Sequence, residues 1–241
     1  MYFFLSHVKI HTVEFDNYFE EWRFKMKDLG NVFILGDSYS TFEGYIPEGY
    51  EAWYNNEPKK DCNDVCRVEE CWWHQFFEKA PATLVHNCSW SGTTICNTGY
   101  NGEDCRHKSF IARLDRLISE GYFEKNKIDT MFIFGSTNDC WAGSPTGERK
   151  LSGWTAEDLY TVYPAFSYML SRAKEALPEG RIIFIMNCYL RPEFFEEFSV
   201  ACRHFGVDFL PLTEFQIGGG HPTVLGMKEI CDQVTEYLER E

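Results

Sequence analysis

The sequence has no long apolar run, and no stretch approaches the ~20 apolar residues that a membrane-spanning helix needs. Basic residues are also scarce, with 23 Lys and Arg against 37 Asp and Glu and a formal net charge of −14. Nucleic acids and anionic lipids are bound through basic surfaces, so we expect neither a nucleic acid nor a membrane as partner. G-x-G-x-x-G and P-loop patterns are missing too, which argues against a flavin or nucleotide binder, and we expect no cofactor.

The N-terminal region lacks the features of a secretory signal. It has no basic start, no long apolar stretch and no small-residue cleavage site, so a cytoplasmic location is the expectation. No chemistry is visible in residues 1–30. We expect these residues to form an N-terminal extension that packs on the main domain or on a partner chain, which leaves a homo-oligomer open. Residues 31–241 are expected to form one domain.

Ten cysteines in 241 residues are too few for a disulfide scaffold, and several fall inside expected strands and helices. The spacing of Cys62, Cys66 and Cys71 differs from the CxxC pairs of zinc sites, so we expect no metal. Unpaired structural thiols are the favoured interpretation, and a disulfide within residues 62–105 stays open.

Apolar runs alternate with amphipathic stretches along the rest of the chain. The runs predict strands at Val32–Leu35, Thr83–Asn87, Ile128–Phe134, Arg181–Met186 and Val207–Leu210. Helices are expected at 67–79, 108–120, 155–177, 192–204 and 222–238. Five alternations of strand and helix predict an α/β fold with a parallel sheet and helices on both of its faces.

Glycine-bearing polar turns follow the first three expected strands. They are Gly36-Asp37-Ser38, the segment Asn87–Gly92 and the segment Gly135–Asp139. Ligands of such folds bind beyond the carboxyl ends of the strands, so the three turns should meet at one edge of the sheet. His221 precedes the last helix and could face the same edge.

These turns contain the parts that a serine hydrolase needs. A serine becomes a nucleophile when a base takes its proton and donors stabilise the oxyanion that follows. Ser38 is the candidate nucleophile and His221, after three glycines, is the candidate base. The backbone N–H groups of Ser38 and Gly92 and the side-chain amide of Asn138 are the candidate oxyanion donors.

At these residues the sequence resembles the SGNH hydrolases, also called the GDSL esterase/lipase family. The first block of the family is matched by Gly36-Asp37-Ser38, with Tyr39 in place of the leucine. The second block is matched by Asn87–Gly92. The third is approximated by Ser136–Asp139, with its glycine displaced to position 135, and the last by His221-Pro222.

The resemblance spans roughly Val32 to Leu238. It implies a flavodoxin-like three-layer α/β/α sandwich with a five-stranded parallel sheet. It also implies ester hydrolysis through an acyl-serine, without a metal, and it makes Asp37 mainly a structural residue of its turn.

One position departs from the family. The family's catalytic acid stands three residues before the histidine, where this sequence has Gly218. A triad acid holds the imidazole in the right tautomer and stabilises its cationic form. Three alternatives stay open: a backbone carbonyl takes this role and leaves a Ser-His dyad, a carboxylate from elsewhere substitutes, with Glu214 the nearest in sequence, or the protein has weak or no hydrolase activity. In the last case the protein would be an SGNH-fold binding module for a small ligand, such as a sugar.

Aromatic residues are frequent near the expected site and on the segments that could reach it. The candidates for lining a substrate pocket are Tyr45, Trp53, Tyr54, Trp90, Trp141 and Trp154. Packing of the long loops is the competing explanation. Aromatic walls suit sugar rings as well as acyl chains. The expected function is therefore a serine esterase that hydrolyses a small acyl ester, with a carbohydrate O-acetyl group as one substrate class.

Overall fold

The computed structural model describes residues 26–57, 59 and 62–240. Five parallel strands form its main sheet, in the order β2-β1-β3-β4-β5. They are β1 (Gly30–Gly36), β2 (Ala82–Ser89), β3 (Thr130–Gly135), β4 (Arg181–Met186) and β5 (Asp208–Pro211). The central strands are continuous apolar runs because both faces of the sheet are covered. This strand order is the flavodoxin-like one, with its switch point between β1 and β3.

Helices cover both faces of the sheet, which confirms the expected three-layer α/β/α sandwich. They are α1 (Trp72–Lys79), α2 (Phe110–Ser119), α3 (Tyr122–Lys125), α4 (Thr137–Trp141), α5 (Val162–Ala176), α6 (Pro192–Phe205) and α7 (Val224–Glu239). One core forms between the sheet and the pair α1 and α7, and the other lies under α2, α5 and α6.

Two expected helices begin five or more residues later than their sequence patterns indicate. The helix expected over 155–177 starts at Val162, and a 3₁₀ turn at Asp158–Tyr160 precedes it. Pro164 lies in the first helical turn and causes no bend there, because an N–H group in that turn has no helical acceptor to lose. Likewise, the helix expected over 67–79 starts at Trp72, after a 3₁₀ turn at Val68–Glu70.

Residues 1–25, most of the expected N-terminal extension, lie outside the described residues. Of the residues before position 31, Met26 and Leu29 are buried in the core beside α1 and α7. All ten cysteines are free thiols, so the disulfide left open for residues 62–105 does not form.

The described part of the chain has neither a membrane-spanning helix nor a cluster of metal-binding side chains. No helix there is long and apolar enough to cross a membrane. No group of three or more His, Cys, Asp or Glu side chains is placed there to hold a metal ion.

Candidate active site

The candidate nucleophile lies in a tight turn at the carboxyl end of β1. Ser38 opens a 3₁₀ turn, and the Asp37 carboxylate caps it by accepting a hydrogen bond from the backbone N–H of Tyr39 at 3.1 Å. The Thr41 hydroxyl closes the turn by donating to the Ser38 carbonyl at 2.9 Å. The preceding Gly36 has no room for a side chain, because a Cβ there would collide with the Ser89 hydroxyl of β2. Ser38 therefore has a fixed backbone.

The candidate base lies on a short hairpin that the sequence did not predict. Strands β6 (Ile217–Gly218) and β7 (His221–Pro222) pair antiparallel. Gly219 and Gly220 form the turn with φ of 59° and 79°, which is left-handed backbone that favours glycine. This turn brings His221 Nε2 to 2.9 Å from Ser38 Oγ. The structure thus joins the two residues that the sequence proposed as nucleophile and base.

The other imidazole nitrogen faces a backbone carbonyl. His221 Nδ1 lies 3.3 Å from the Gly219 oxygen. Glu214, the carboxylate proposed as a substitute acid, is exposed, and no hydrogen bond or ion pair joins it to His221 among the described residues. Position 218 has no space for an acid either, since a Cβ on Gly218 would collide with the Cys62 carbonyl. The geometry corresponds to the first alternative, a carbonyl in the place of the acid.

The imidazole is neutral in this setting. Burial lowers the pKa of His221 to about 4; the bond to Gly219 opposes this shift, and the nearby Lys59 ammonium adds to it. A carbonyl can only accept, so Nδ1 must carry the proton. Nε2 is then left with its lone pair toward the Ser38 hydroxyl, which is the tautomer a general base needs.

Asn63 holds the histidine hairpin from one side. Its side-chain Nδ2 lies 3.2 Å from the carbonyl oxygens of Gly218 and His221 and 3.0 Å from that of Pro222. The Asn63 oxygen accepts from the backbone N–H of Val65 at 3.0 Å, which fixes the amide orientation. Asn63 was not predicted from the sequence, because a single asparagine in a loop forms no recognisable pattern.

Two tyrosine hydroxyls hold the same hairpin from beneath. Tyr39 donates to the Gly220 carbonyl at 2.8 Å, and Tyr54 donates to the Pro222 carbonyl at 2.9 Å. Both rings are almost fully buried, and burial raises the pKa of both phenols, so they stay protonated donors. Tyr39 occupies the position of the family's leucine, and its hydroxyl gives that position a bond that leucine cannot make.

The candidate oxyanion donors lie at the ends of β1, β2 and β3. The Asn138 amide Nδ2 donates to the Thr93 carbonyl at 3.0 Å, and its Oδ1 accepts from the Tyr100 hydroxyl at 2.9 Å. Nδ2 therefore keeps one further proton to donate. No hydrogen bond to a described residue engages the backbone N–H of Ser38 or of Gly92. Tyr100 was also missed by the sequence analysis.

Three buried charged groups lie behind these donors. Asp139 accepts from the backbone N–H groups of Ile95 and Cys96 at 2.8 and 3.1 Å, which anchors the segment after Gly92. Burial raises the pKa of Asp37 to about 7 and that of Asp139 to about 6. The Arg113 guanidinium is buried with them, and its charge opposes the shift at Asp37.

Three of the six aromatic candidates contact the His221 ring. Trp53 stacks on the imidazole with ring centroids 3.6 Å apart and planes inclined by 6°. Trp141 meets it edge to face at 5.9 Å and is 42% exposed, so it can also face a ligand. Tyr54 lies 6.3 Å away, but it is buried and belongs to the support of the hairpin.

The other three aromatic candidates have different surroundings. Tyr45 is exposed and packs on Phe42 and Trp73, and Trp90 stacks on Tyr50. Trp154 packs against Tyr168 of α5 and Phe205. Phe205 ends α6, where the chain returns to the amino end of β5, so Trp154 lies toward the edge of the sheet opposite the site.

Fold and sequence comparison agree on the class of protein. The family model for GDSL-like lipase/acylhydrolase matches residues 30–238, which include every candidate catalytic residue. The protein is a hydrolase that acts on ester bonds. The chain belongs to the GDSL-like lipase/acylhydrolase family.

Solved structures of similar proteins support this membership. A protein from Bacteroides ovatus described as a GDSL-like lipase is 42% identical, with 89% of this chain and 100% of that chain covered and a TM-score of 0.82. One from Bacteroides uniformis is 39% identical, with 88% and 96% covered and a TM-score of 0.80. A family two carbohydrate esterase from Clostridium thermocellum shares the fold at 15% identity, with 89% and 65% covered and a TM-score of 0.59. No protein of curated function matches this sequence.

Proposed function

We propose that this protein is a serine esterase in which Ser38 and His221 form a catalytic dyad. The observation that carries the proposal is the 2.9 Å contact between Ser38 Oγ and His221 Nε2, with Nδ1 turned to the Gly219 carbonyl. A nucleophile and base within hydrogen-bond reach, with a third group orienting the base, are the geometric signature of nucleophilic catalysis.

In the acylation step, His221 Nε2 takes the hydroxyl proton while Ser38 Oγ bonds to the ester carbonyl carbon. The C=O electron pair moves onto oxygen and gives a tetrahedral oxyanion. The oxyanion then collapses, the alkoxy group leaves, and His221 returns the proton to it as an alcohol. In the second half, His221 takes a proton from water, the resulting hydroxide attacks the acyl-serine, and the acid leaves as Ser38 recovers its proton.

The oxyanion forms beside three hydrogen-bond donors that have a proton available for it. The Ser38 and Gly92 N–H groups lack acceptors among the described residues, and Asn138 has a spare amide proton. Tyr100 and Thr93 fix the Asn138 amide in advance, so little reorganisation accompanies the reaction. Loss of one such donor typically lowers the rate by about 10²–10³.

The substrate class that we propose is a small acyl ester, with acetyl groups on a carbohydrate as the first choice. Trp141 is 42% exposed and offers an aromatic face beside the base, and aromatic faces stack on sugar rings. Two structures of the same fold point the same way: the Clostridium thermocellum carbohydrate esterase was solved with cellohexaose, and another is an acetyl xylan esterase from Butyrivibrio proteoclasticus.

Intact-mass analysis after incubation with a fluorophosphonate tests the dyad. A single covalent adduct on the wild type, absent from Ser38→Ala and from His221→Ala, is the expected result. The two variants should keep the wild-type circular dichroism spectrum and melting temperature within a few degrees. A variant that still hydrolyses small acyl esters at the wild-type rate would refute the dyad. Comparing the hydrolysis rates of acetylated sugars with that of p-nitrophenyl acetate then ranks the substrates.

A second candidate function is a binding module that uses the same crevice without turnover. The observation in its favour is the absence of a carboxylate at His221 Nδ1 within the described part of the chain. It predicts no adduct on a folded wild type. It also predicts sugar binding, measured by calorimetry, that survives Ser38→Ala unchanged. The fluorophosphonate experiment therefore separates the two functions.

A further inference from the structure

The indole of Trp53 lies between the imidazole of His221 and the ammonium group of Lys59. Its one face covers the His221 imidazole at a centroid distance of 3.6 Å, with the planes nearly parallel. The Lys59 ammonium lies 3.7 Å from the centroid of the same indole. It must occupy the opposite face, since the imidazole fills the first. The order is therefore imidazole, indole, ammonium.

Trp53 is also tied to the nucleophile turn. Its backbone N–H donates to the Thr41 hydroxyl oxygen at 2.9 Å, and that hydroxyl donates to the Ser38 carbonyl at 2.9 Å. The backbone that carries the indole is therefore hydrogen-bonded to the turn of the nucleophile. Because Trp53 is bonded to this turn and stacks on His221, it holds the imidazole at a fixed position relative to Ser38.

The stack and the Gly219 bond restrain different motions of the imidazole. Stacking fixes the plane of the ring but leaves it free to rotate within that plane. The bond from Nδ1 to the Gly219 carbonyl fixes this rotation. Together the two contacts define the direction in which Nε2 points, which a carboxylate does alone in a triad.

We propose that Trp53 is a positioning residue that takes over the tasks of the missing acid in the dyad proposed above. Its face keeps Nε2 on Ser38, and it stabilises the imidazolium that forms when His221 takes the serine proton. A cation over a tryptophan face gains up to about 2 kcal/mol where water is excluded, which corresponds to about 30-fold in rate. His221 is almost fully buried, so the contact is of the desolvated kind.

Lys59 acts against this stabilisation from the other face. Its ammonium competes for the same π electrons and repels a second cation, so it favours the neutral imidazole. The other titratable groups that meet the His221 ring are the neutral phenols of Tyr39 and Tyr54. Lys59 is accordingly the charged group whose removal should raise the pKa of His221.

Two substitutions of Trp53 separate positioning from substrate binding. Trp53→Phe keeps an aromatic face and should retain kcat for p-nitrophenyl acetate within about 3-fold. Trp53→Leu removes the face and should lower kcat by about 10- to 30-fold with KM nearly unchanged. The indole Nε1 is buried without a partner among the described residues, so a substrate oxygen that used it would give both variants the same rise in KM. Wild-type kcat in a folded Trp53→Leu, or a loss confined to KM, would overturn the proposal.

A third variant gives a readout that does not depend on turnover. Lys59→Met should shift the His221 titration, followed by NMR of its imidazole, to higher pH, and Lys127→Met at the far edge of the sheet should leave it unchanged. An unshifted titration would refute the role of Lys59. If the wild type reacts with no fluorophosphonate, the dyad itself fails, whereas labelling of the wild type with unaltered labelling rates in Trp53→Leu refutes only the positioning role.

Discussion

The carbonyl oxygen of Cys62 occupies the space that a side chain at position 218 would need. The segment at Cys62 and Asn63 lies against the histidine hairpin, and the Asn63 amide donates to its carbonyls. Backbone thus fills the place from which an acid would reach His221. Position 218 can hold no carboxylate side chain while the Cys62 segment packs there.

Restoring the family's acid should therefore fail. We expect Gly218→Asp to lower stability by about 1–3 kcal/mol, because its Cβ forces the Cys62 segment away. Gly218→Ala is the matched control, since it creates the same collision without a carboxylate. Both variants should lose melting temperature and esterase activity to a similar extent. Higher kcat in the aspartate variant than in the alanine variant would show that position 218 can hold a functional acid.

The activity of the wild type should persist to unusually low pH. His221 acts as a base only when it is unprotonated, so kcat/KM rises as pH increases through its pKa. Burial lowers that pKa to about 4, below the ordinary histidine value of about 6.5. The pH profile of kcat/KM should rise around pH 4 and stay flat from about pH 5.5 to neutrality. An acid limb near pH 6.5 would contradict the buried, neutral imidazole.

Tyr100 should matter for the rate although it is remote from the nucleophile in sequence. Its hydroxyl orients the Asn138 amide by donating to Oδ1. Tyr100→Phe should lower kcat by about tenfold, less than the 10²–10³ expected for Asn138→Ala, with KM little changed. Tyr160→Phe is a suitable control, because its hydroxyl contacts the exposed Asp104 instead. Equal kcat in Tyr100→Phe and wild type would remove Tyr100 from the oxyanion site.

Asp37 should make stability depend on pH between about 4 and 7. Its pKa is raised from 3.8 to about 7 by burial, so the folded state holds a proton that the unfolded chain releases. The free energy of unfolding therefore falls as pH rises through this window. Asp37→Asn keeps the acceptor for Tyr39 N–H and should make this fall smaller, most clearly above the pKa of about 6 of the likewise buried Asp139. Melting curves from pH 4.5 to 8 would show the difference. Asp232→Asn, on the exposed face of α7, should leave the slope as in the wild type.

Local sequence patterns were sufficient to predict the sheet and the contact between Ser38 and His221. The apolar runs at β1 and β4 are long and bounded by glycine or polar residues, so the strands were placed within about two residues. Ser38 and His221 were found because each stands beside a glycine turn at the end of such an element. Helix starts were less certain: the amphipathic pattern around Pro164 continues into a 3₁₀ turn that has the same polarity as a helix.

Supporting residues had no such signal. Asn63, Tyr39 and Tyr100 act through side-chain hydrogen bonds to groups that are tens of residues away, or more than a hundred in two cases. Trp154 was expected to line the substrate pocket, but it packs far from the site. An aromatic residue in a loop gives the same sequence signal whether it faces the site or the opposite edge of the sheet.

The sequence by itself determined the α/β class, the family and the pair of side chains for which we propose a catalytic role, because these depend on periodicity and on short motifs. Only the tertiary structure decided what orients His221. The Gly219 carbonyl, the Trp53 face and the Cys62 backbone meet at the imidazole through the folding of three separate segments. A backbone carbonyl is present at every residue, so the contact of one carbonyl with a histidine leaves no trace in the sequence.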